Sequence, residues 1–240
     1  MAVSSELLQE GLIAVYDHDS DGDDEDEALS APSDQPGGGD LQFALELEVP
    51  PIYYHKADFI VTATKNKVSK RCVLCGSTNI SLAGKSIVMP GVILRGDLQM
   101  LRIGHYVCIS EDCVVRPAYK SYKGKLAFFP LHIGSYVTIG ARTVVSAAQV
   151  GTCVDIGEDC VISKRCIIKE NSKILPGTVL PPDTVVPPFT VFGGSPGVHV
   201  ADLPESAQAM QMKNATMCYR RFKQRPEPPR ERGARADAAR

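Results

Sequence analysis

Between Ile103 and Gly194 the chain repeats itself every six residues, and no other feature restricts its fold as tightly. Residues 103–108 read Ile-Gly-His-Tyr-Val-Cys, residues 133–138 Ile-Gly-Ser-Tyr-Val-Thr and residues 156–161 Ile-Gly-Glu-Asp-Cys-Val. The leading aliphatic position runs through Ile103, Ile109, Val115, Ile133, Ile139, Val145, Val150, Ile156, Ile162, Ile168, Ile174, Leu180, Val186 and Phe192, with one slip between Val145 and Val150. Four places on sits a small residue, as at Val107, Cys113, Thr143, Cys160, Cys166, Ser172 and Thr178. A helix needs apolar residues three and four apart and a half-buried strand needs them two apart, so neither accommodates this period. Short strands and turns wound around a triangular prism do. The aliphatic residue fills the prism, the small one tucks in near the corner, and three hexads close a coil whose strands pair with the next coil about 4.8 Å away.

The period is interrupted once, between Val115 and Ile133, so the segment from Pro117 to Leu131 must leave the prism and stand on its side. It carries Tyr119, Tyr122, Phe128 and Phe129 among Lys120, Lys123 and Lys125. Disordered loops are poor in aromatics, whereas aromatics ringed by cations suit an interface core with a basic rim. These seven residues are the candidate partner-binding set. The alternative is that Phe128 and Phe129 fold back on the prism of their own chain.

Composition is informative through its asymmetry. The formal net charge is only -2, yet residues 1–50 hold fourteen of the 28 acidic side chains and no Lys or Arg. The remainder sets 26 basic residues against fourteen acidic ones, a balance of +12. The acidic run from Asp17 to Glu27, followed by a Ser, Pro and Gly-rich stretch, repels itself and buries too little to fold. Asp17, Asp19, Asp21 and Gly22 match the start of a calcium-binding loop, but the twelfth position, where a bidentate Glu should close the site, is Ala28. Residues 1–50 are therefore expected to be a disordered acidic extension, 51–200 the solenoid, 201–223 a helix packed on it, and 224–240 a disordered Pro and Arg-rich tail. Within the helix, Ala207, Met210, Met217, Cys218 and Phe222 recur at near-helical spacing, with Asp202 as candidate N-cap. No apolar run is long enough to cross a bilayer. No membrane insertion and no nucleic-acid partner are expected, and the eight cysteines read as reduced thiols of a cytoplasmic protein. Cys72 and Cys75 form a CxxC without a second pair to complete a zinc site, and Cys113, Cys160 and Cys166 occupy a slot shared with Thr and Val.

The hexads resemble those of the left-handed parallel β-helix family, which implies an all-β solenoid with that handedness. Within that family, Ile93-Leu94-Arg95-Gly96-Asp97, Arg102-Ile103-Gly104 and Ile109-Ser110-Glu111-Asp112 resemble the gamma-class carbonic anhydrases. The resemblance implies three zinc-binding imidazoles, whose matching positions here hold Arg116, Ala141 and Ser146. Catalytic zinc needs three protein ligands and an open position, so neither metal nor cofactor is expected. An acyltransferase would need a His as general base; His105 and His132 are the candidates, and neither has an acidic partner nearby in sequence. The Arg95-Gly96-Asp97 triplet reads as a salt-bridged corner.

Asn66-Lys67-Val68-Ser69, Val73-Leu74-Cys75-Gly76-Ser77, the stretch from Ala127 to Gly134 and the Pro-rich stretch from Val179 to Phe192 are similar to the β-helical pointed-end subunits of dynactin. That resemblance implies a non-catalytic assembly protein of the cytoplasm and cytoskeleton. It would pair with a second β-helix resembling dynactin subunit 6, sit beside the pointed-end actin-related protein and other dynactin subunits, and help dynein engage cargo adaptors in microtubule-based transport. An enzyme of the gamma-class or acyltransferase kind is the alternative.

Overall fold

The computed structural model describes residues 50–226 apart from Gly124. The acidic segment before Pro50, with its calcium-loop-like run, and the tail beyond Pro226 lie outside the described residues. The hexads form a left-handed parallel β-helix whose three faces are one nine-stranded and two six-stranded sheets. Register is set by the aliphatic position, which stacks on itself from coil to coil. On the long sheet the ladder is Val88, Ile109, Ile139, Ile156, Ile174 and Phe192. On the second sheet it is Leu94, Val115, Val145, Ile162 and Leu180. On the third it is Leu82, Ile103, Ile133, Val150, Ile168 and Val186. Of the ladder residues, all but Leu82 in the first coil and Phe192 in the last are at most 3% exposed. At about 25 cal/mol per Å2 of apolar surface removed from water, these ladders are the main stabilising term.

The corners explain the rest of the hexad. Three places after the aliphatic residue the backbone turns with positive φ, at Tyr106, Asp112, Tyr136, Arg142, Cys153, Asp159, Arg165, Asn171, Asp183 and Phe189. Each such turn costs an L-residue roughly 1–2 kcal/mol, and amides of these residues bond to the coil before, as Arg142 N does to Glu111 O and Asp159 N to Ala141 O, both at 2.9 Å. Glycine often follows the aliphatic residue because coils approach closely there: a Cβ on Gly140 would lie 2.4 Å from Glu158 N. The small slot does more than fill space. Cys113 Sγ donates to Gly140 O at 2.9 Å, Thr143 Oγ1 to Gly157 O at 2.9 Å and Cys166 Sγ to Pro181 O at 3.1 Å, so small donors cap corner carbonyls.

Both ends of the long sheet are closed by antiparallel strands. Phe59–Val61 pairs with Lys67–Ser69, and Val198–Asp202 folds back on Thr190–Gly193. Such closure protects strand edges that would otherwise template further pairing. The C-terminal helix α1 spans Ala207–Arg221, a shorter element than the spacing suggests. Asp202 is not its cap: it lies in the preceding strand, where it bonds His199 Nε2 at 2.8 Å, and the cap position is Ser206 without a side-chain bond. Phe222, assigned to the helix by its spacing, instead begins a strand, Phe222–Gln224, that pairs in parallel with Ile52–Tyr54. The stacked rings of Tyr54 and Phe222, 4.6 Å apart, bury this clasp with Phe59, Ile87 and Cys108.

Candidate functional site: a closed ligand position beside a hairpin

The interruption of the repeat is a β-hairpin, Ala118–Tyr122 paired antiparallel with Lys125–Phe129. It leaves the prism immediately after Val114–Val115, at the corner between the second and third sheets. Antiparallel pairing sorts the seven candidate residues onto different surfaces. Tyr119 and Phe128 face each other across the strands, with ring centroids 6.1 Å apart, and lean towards the prism. Lys164 Nζ stands 4.9 Å from the Tyr119 ring and Arg165 Nη1 donates to Tyr119 O at 3.3 Å. On the opposite hairpin face Phe129 pairs with the buried Ala118 and is 40% exposed, near the exposed Lys120 and Lys125. Lys123 occupies the turn with positive φ, and Tyr122 pairs with Lys125 beside it. Leu126, paired with Ser121 near the tip on the Tyr119 and Phe128 face, is at 60% exposure the most exposed large apolar side chain of the hairpin and escapes a reading based on aromatics alone. The hairpin therefore both folds back, through Tyr119 and Phe128, and presents an apolar and basic outer surface.

At its base lies a shallow cleft of about 180 Å3, lined by Arg116, Tyr119, Ser146, Ser163, Lys164 and Pro182. Arg116 and Ser146 occupy equivalent corners of neighbouring coils, and Arg116 Nε donates to Ser146 Oγ at 2.8 Å. Ala141 follows Ile139 at the preceding corner, where its carbonyl accepts from Asp159 N. The structure thus brings Arg116 and Ser146 together and leaves Ala141 on another edge. A guanidinium, a hydroxyl and a methyl offer no imidazole to a metal. Among the described residues no group of three or more His, Cys, Asp or Glu side chains comes together to hold an ion. His105 and His132 are exposed on the third sheet, and among the described residues neither ring bonds a carboxylate.

Electrostatics on the prism are those of corner pairs. Arg95 holds both oxygens of Asp97 at 2.8 Å, which makes the Arg-Gly-Asp triplet a salt-bridged corner, and Gly96 between them has no room for a side chain because a Cβ would meet Ile80 Cγ1 at 2.6 Å. Arg142 grips Asp159 of the next coil with two bonds of 2.7 Å, and Arg165 grips both carboxylate oxygens of Asp183. Each guanidinium, first through its hydrogen bonds, holds its aspartate below the usual carboxylate range. Burial pushes the thiols of Cys72, Cys113, Cys153, Cys160 and Cys166 up, the mark of inert core cysteines.

The fold is a hexapeptide-repeat β-helix, and at its hairpin corner Arg116 and Ser146 offer no side chain suited to zinc. A hexapeptide transferase family protein from Anaplasma phagocytophilum is similar in fold, with a TM-score of 0.51 and 20% identity over 65% of this chain and 89% of that one. Such a likeness bears on architecture alone. Residues 47–226 match the family profile of dynactin subunit 5. Dynactin subunit 5 of Dictyostelium discoideum is 53% identical over 176 residues, covering 73% of this chain and 89% of that protein. The chain belongs to the dynactin subunit 5 family.

Proposed function

We propose that this chain is a non-catalytic structural subunit of dynactin, seated in the pointed-end complex of the cytoplasmic cytoskeleton. The observation that carries the reading is the 53% identity to a dynactin subunit 5 across 89% of that relative. A non-catalytic role is supported by Arg116 bonded to Ser146 at positions where the gamma-class resemblance implies metal ligands. Among the described residues no helix is long and apolar enough to cross a membrane. In this role the prism is a rigid body that pairs with a second, dynactin subunit 6-like β-helix and sits beside the pointed-end actin-related protein. The outer hairpin face that carries Lys120, Lys125 and Phe129, together with the exposed Leu126 near the tip of the other face, is the docking element, and the assembled surface supports cargo-adaptor engagement in dynein-driven microtubule transport. Aromatic and aliphatic anchors within a cationic rim fit a partner with an apolar pocket and acidic margin. Affinity purification of the tagged full-length protein from cells, followed by mass spectrometry, tests the assignment. Dynactin subunits should co-purify in fixed proportion, and their absence would overturn it.

A further inference from the structure

We propose that Cys108 and Cys218 form a peroxide-driven disulfide latch that fixes the C-terminal helix to the prism. The two residues are 110 positions apart in sequence, and their sulfurs lie 3.0 Å from each other. Cys108 belongs to the strand Cys108–Ile109 on the long sheet and is buried, while Cys218 is half-buried in the last turn of α1. A disulfide bond is about 2.0 Å long, so closure needs the sulfurs to approach by about another 1 Å. Neither sulfur is free to drift from this position. Tyr219 Oη donates to Lys65 O at 2.7 Å, and its ring meets that of Tyr106 edge-on at 5.9 Å. Lys67 Nζ donates to the Phe222 carbonyl and lies 4.1 Å from the Tyr219 ring. The clasp of Phe222–Gln224 on Ile52–Tyr54 then anchors the segment immediately after the helix.

The two thiols are chemically unlike each other. The hydrogen bond between them, with the charges of Arg221 and Lys67, outweighs burial and holds Cys218 down to about 7, while the same bond and burial push Cys108 well up. Cys218, half-buried in the last turn of α1, is the thiol that peroxide reaches and so the nucleophile, and the buried Cys108 resolves it. The Cys218 thiolate attacks one oxygen of hydrogen peroxide, the O–O bond breaks, and the departing hydroxide takes up a proton as water, leaving a sulfenic acid. The Cys108 sulfur then attacks the Cys218 sulfur, the S–O bond breaks as the S–S bond forms, and the hydroxyl leaves with the Cys108 proton as a second water. Two electrons pass from the paired sulfurs to one peroxide. The cross-link closes a loop spanning most of the solenoid, so it restricts the unfolded chain strongly.

The test uses the reduced full-length protein, treated with a small excess of hydrogen peroxide and then mapped by peptide mass spectrometry without reduction. A peptide pair joining Cys108 to Cys218, a loss of two hydrogens per chain and reversal by dithiothreitol are expected. The melting temperature should rise by roughly 5–15 °C on oxidation. Cys218→Ser should lose both the cross-link and the rise, whereas Cys75→Ser should keep both. The inference is overturned if both thiols remain open to alkylation after peroxide, if Cys218 accumulates as sulfinic acid, or if the cross-link joins a different pair.

Discussion

Arg116 and Ser146 share a hydrogen bond of 2.8 Å between neighbouring coils. The resemblance to gamma-class enzymes implies imidazoles at these two positions there; here they are satisfied by each other, and a guanidinium beside a hydroxyl offers nothing that binds zinc. Purified protein is expected to hold far less than one zinc per chain by elemental analysis, to melt unchanged after chelation, and to hydrate carbon dioxide no faster than buffer. One metal per chain would refute this.

Ile139 is fully buried in the ladder between Ile109 and Ile156. Ile139→Ala should cost about 2–5 kcal/mol, seen as a lower urea midpoint, because a narrow prism cannot collapse around the lost methyls. Ile139→Asp adds an unpaired buried carboxylate, whose cost rivals the roughly 5–15 kcal/mol that holds a typical domain folded. The expected outcome is insoluble protein, and soluble protein with unchanged melting would contradict the ladder register.

Gly140 faces the backbone of the next coil with no space for a side chain, its virtual Cβ lying 2.4 Å from Glu158 N. Backbone cannot rotate aside as a side chain can. Gly140→Ala should therefore destabilise by about 1–3 kcal/mol in urea unfolding, despite alanine's better intrinsic propensity for ordered backbone.

The Arg142 to Asp159 pair makes a pH-dependent contribution. Its hydrogen bonds to Arg142 hold the Asp159 carboxyl below its unfolded value, so the stabilisation is present above the ordinary carboxylate range and is lost as pH falls through the folded value. Wild type should melt slightly above Asp159→Asn at pH 6, with the gap closing once the pH has fallen below the ordinary carboxylate range. A gap that persists or widens in acid would show that the pair does not act through charge.

The aliphatic ladders are readable in sequence because every third hexad returns to the same face, so period alone specifies which side chains meet. The corners are not. Tyr106, Arg142 and Phe189 adopt positive φ although local preference reserves it for Gly and Asn, and amide bonds between coils override that preference. Helical spacing carried the C-terminal helix through Phe222, where pairing with Ile52–Tyr54 takes over. At the candidate site, composition identifies the hairpin as an ordered aromatic segment but not its two faces. Those follow from the pairing of Tyr119 with Phe128 and Ala118 with Phe129, which depends on where the turn falls. Contact between Cys108 and Cys218 depends on the path of the whole solenoid and leaves no local signal.

The central claim is that a folded prism joins dynactin through the exposed apolar side chains of its hairpin, Phe129 on the outer face and Leu126 near the tip. Leu126 and Phe129, 60% and 40% exposed, contribute little to the chain's own core, so Leu126→Asp with Phe129→Asp should leave the isolated protein folded and its melting temperature within about 2 °C of wild type. The decisive measurement is quantitative co-purification of this double variant with dynactin, read beside its melting curve. Loss of co-purification by at least about tenfold with unchanged melting is the predicted result, the scale expected when charges are buried at an interface anchor. Wild-type recovery of dynactin by the folded double variant would contradict the account.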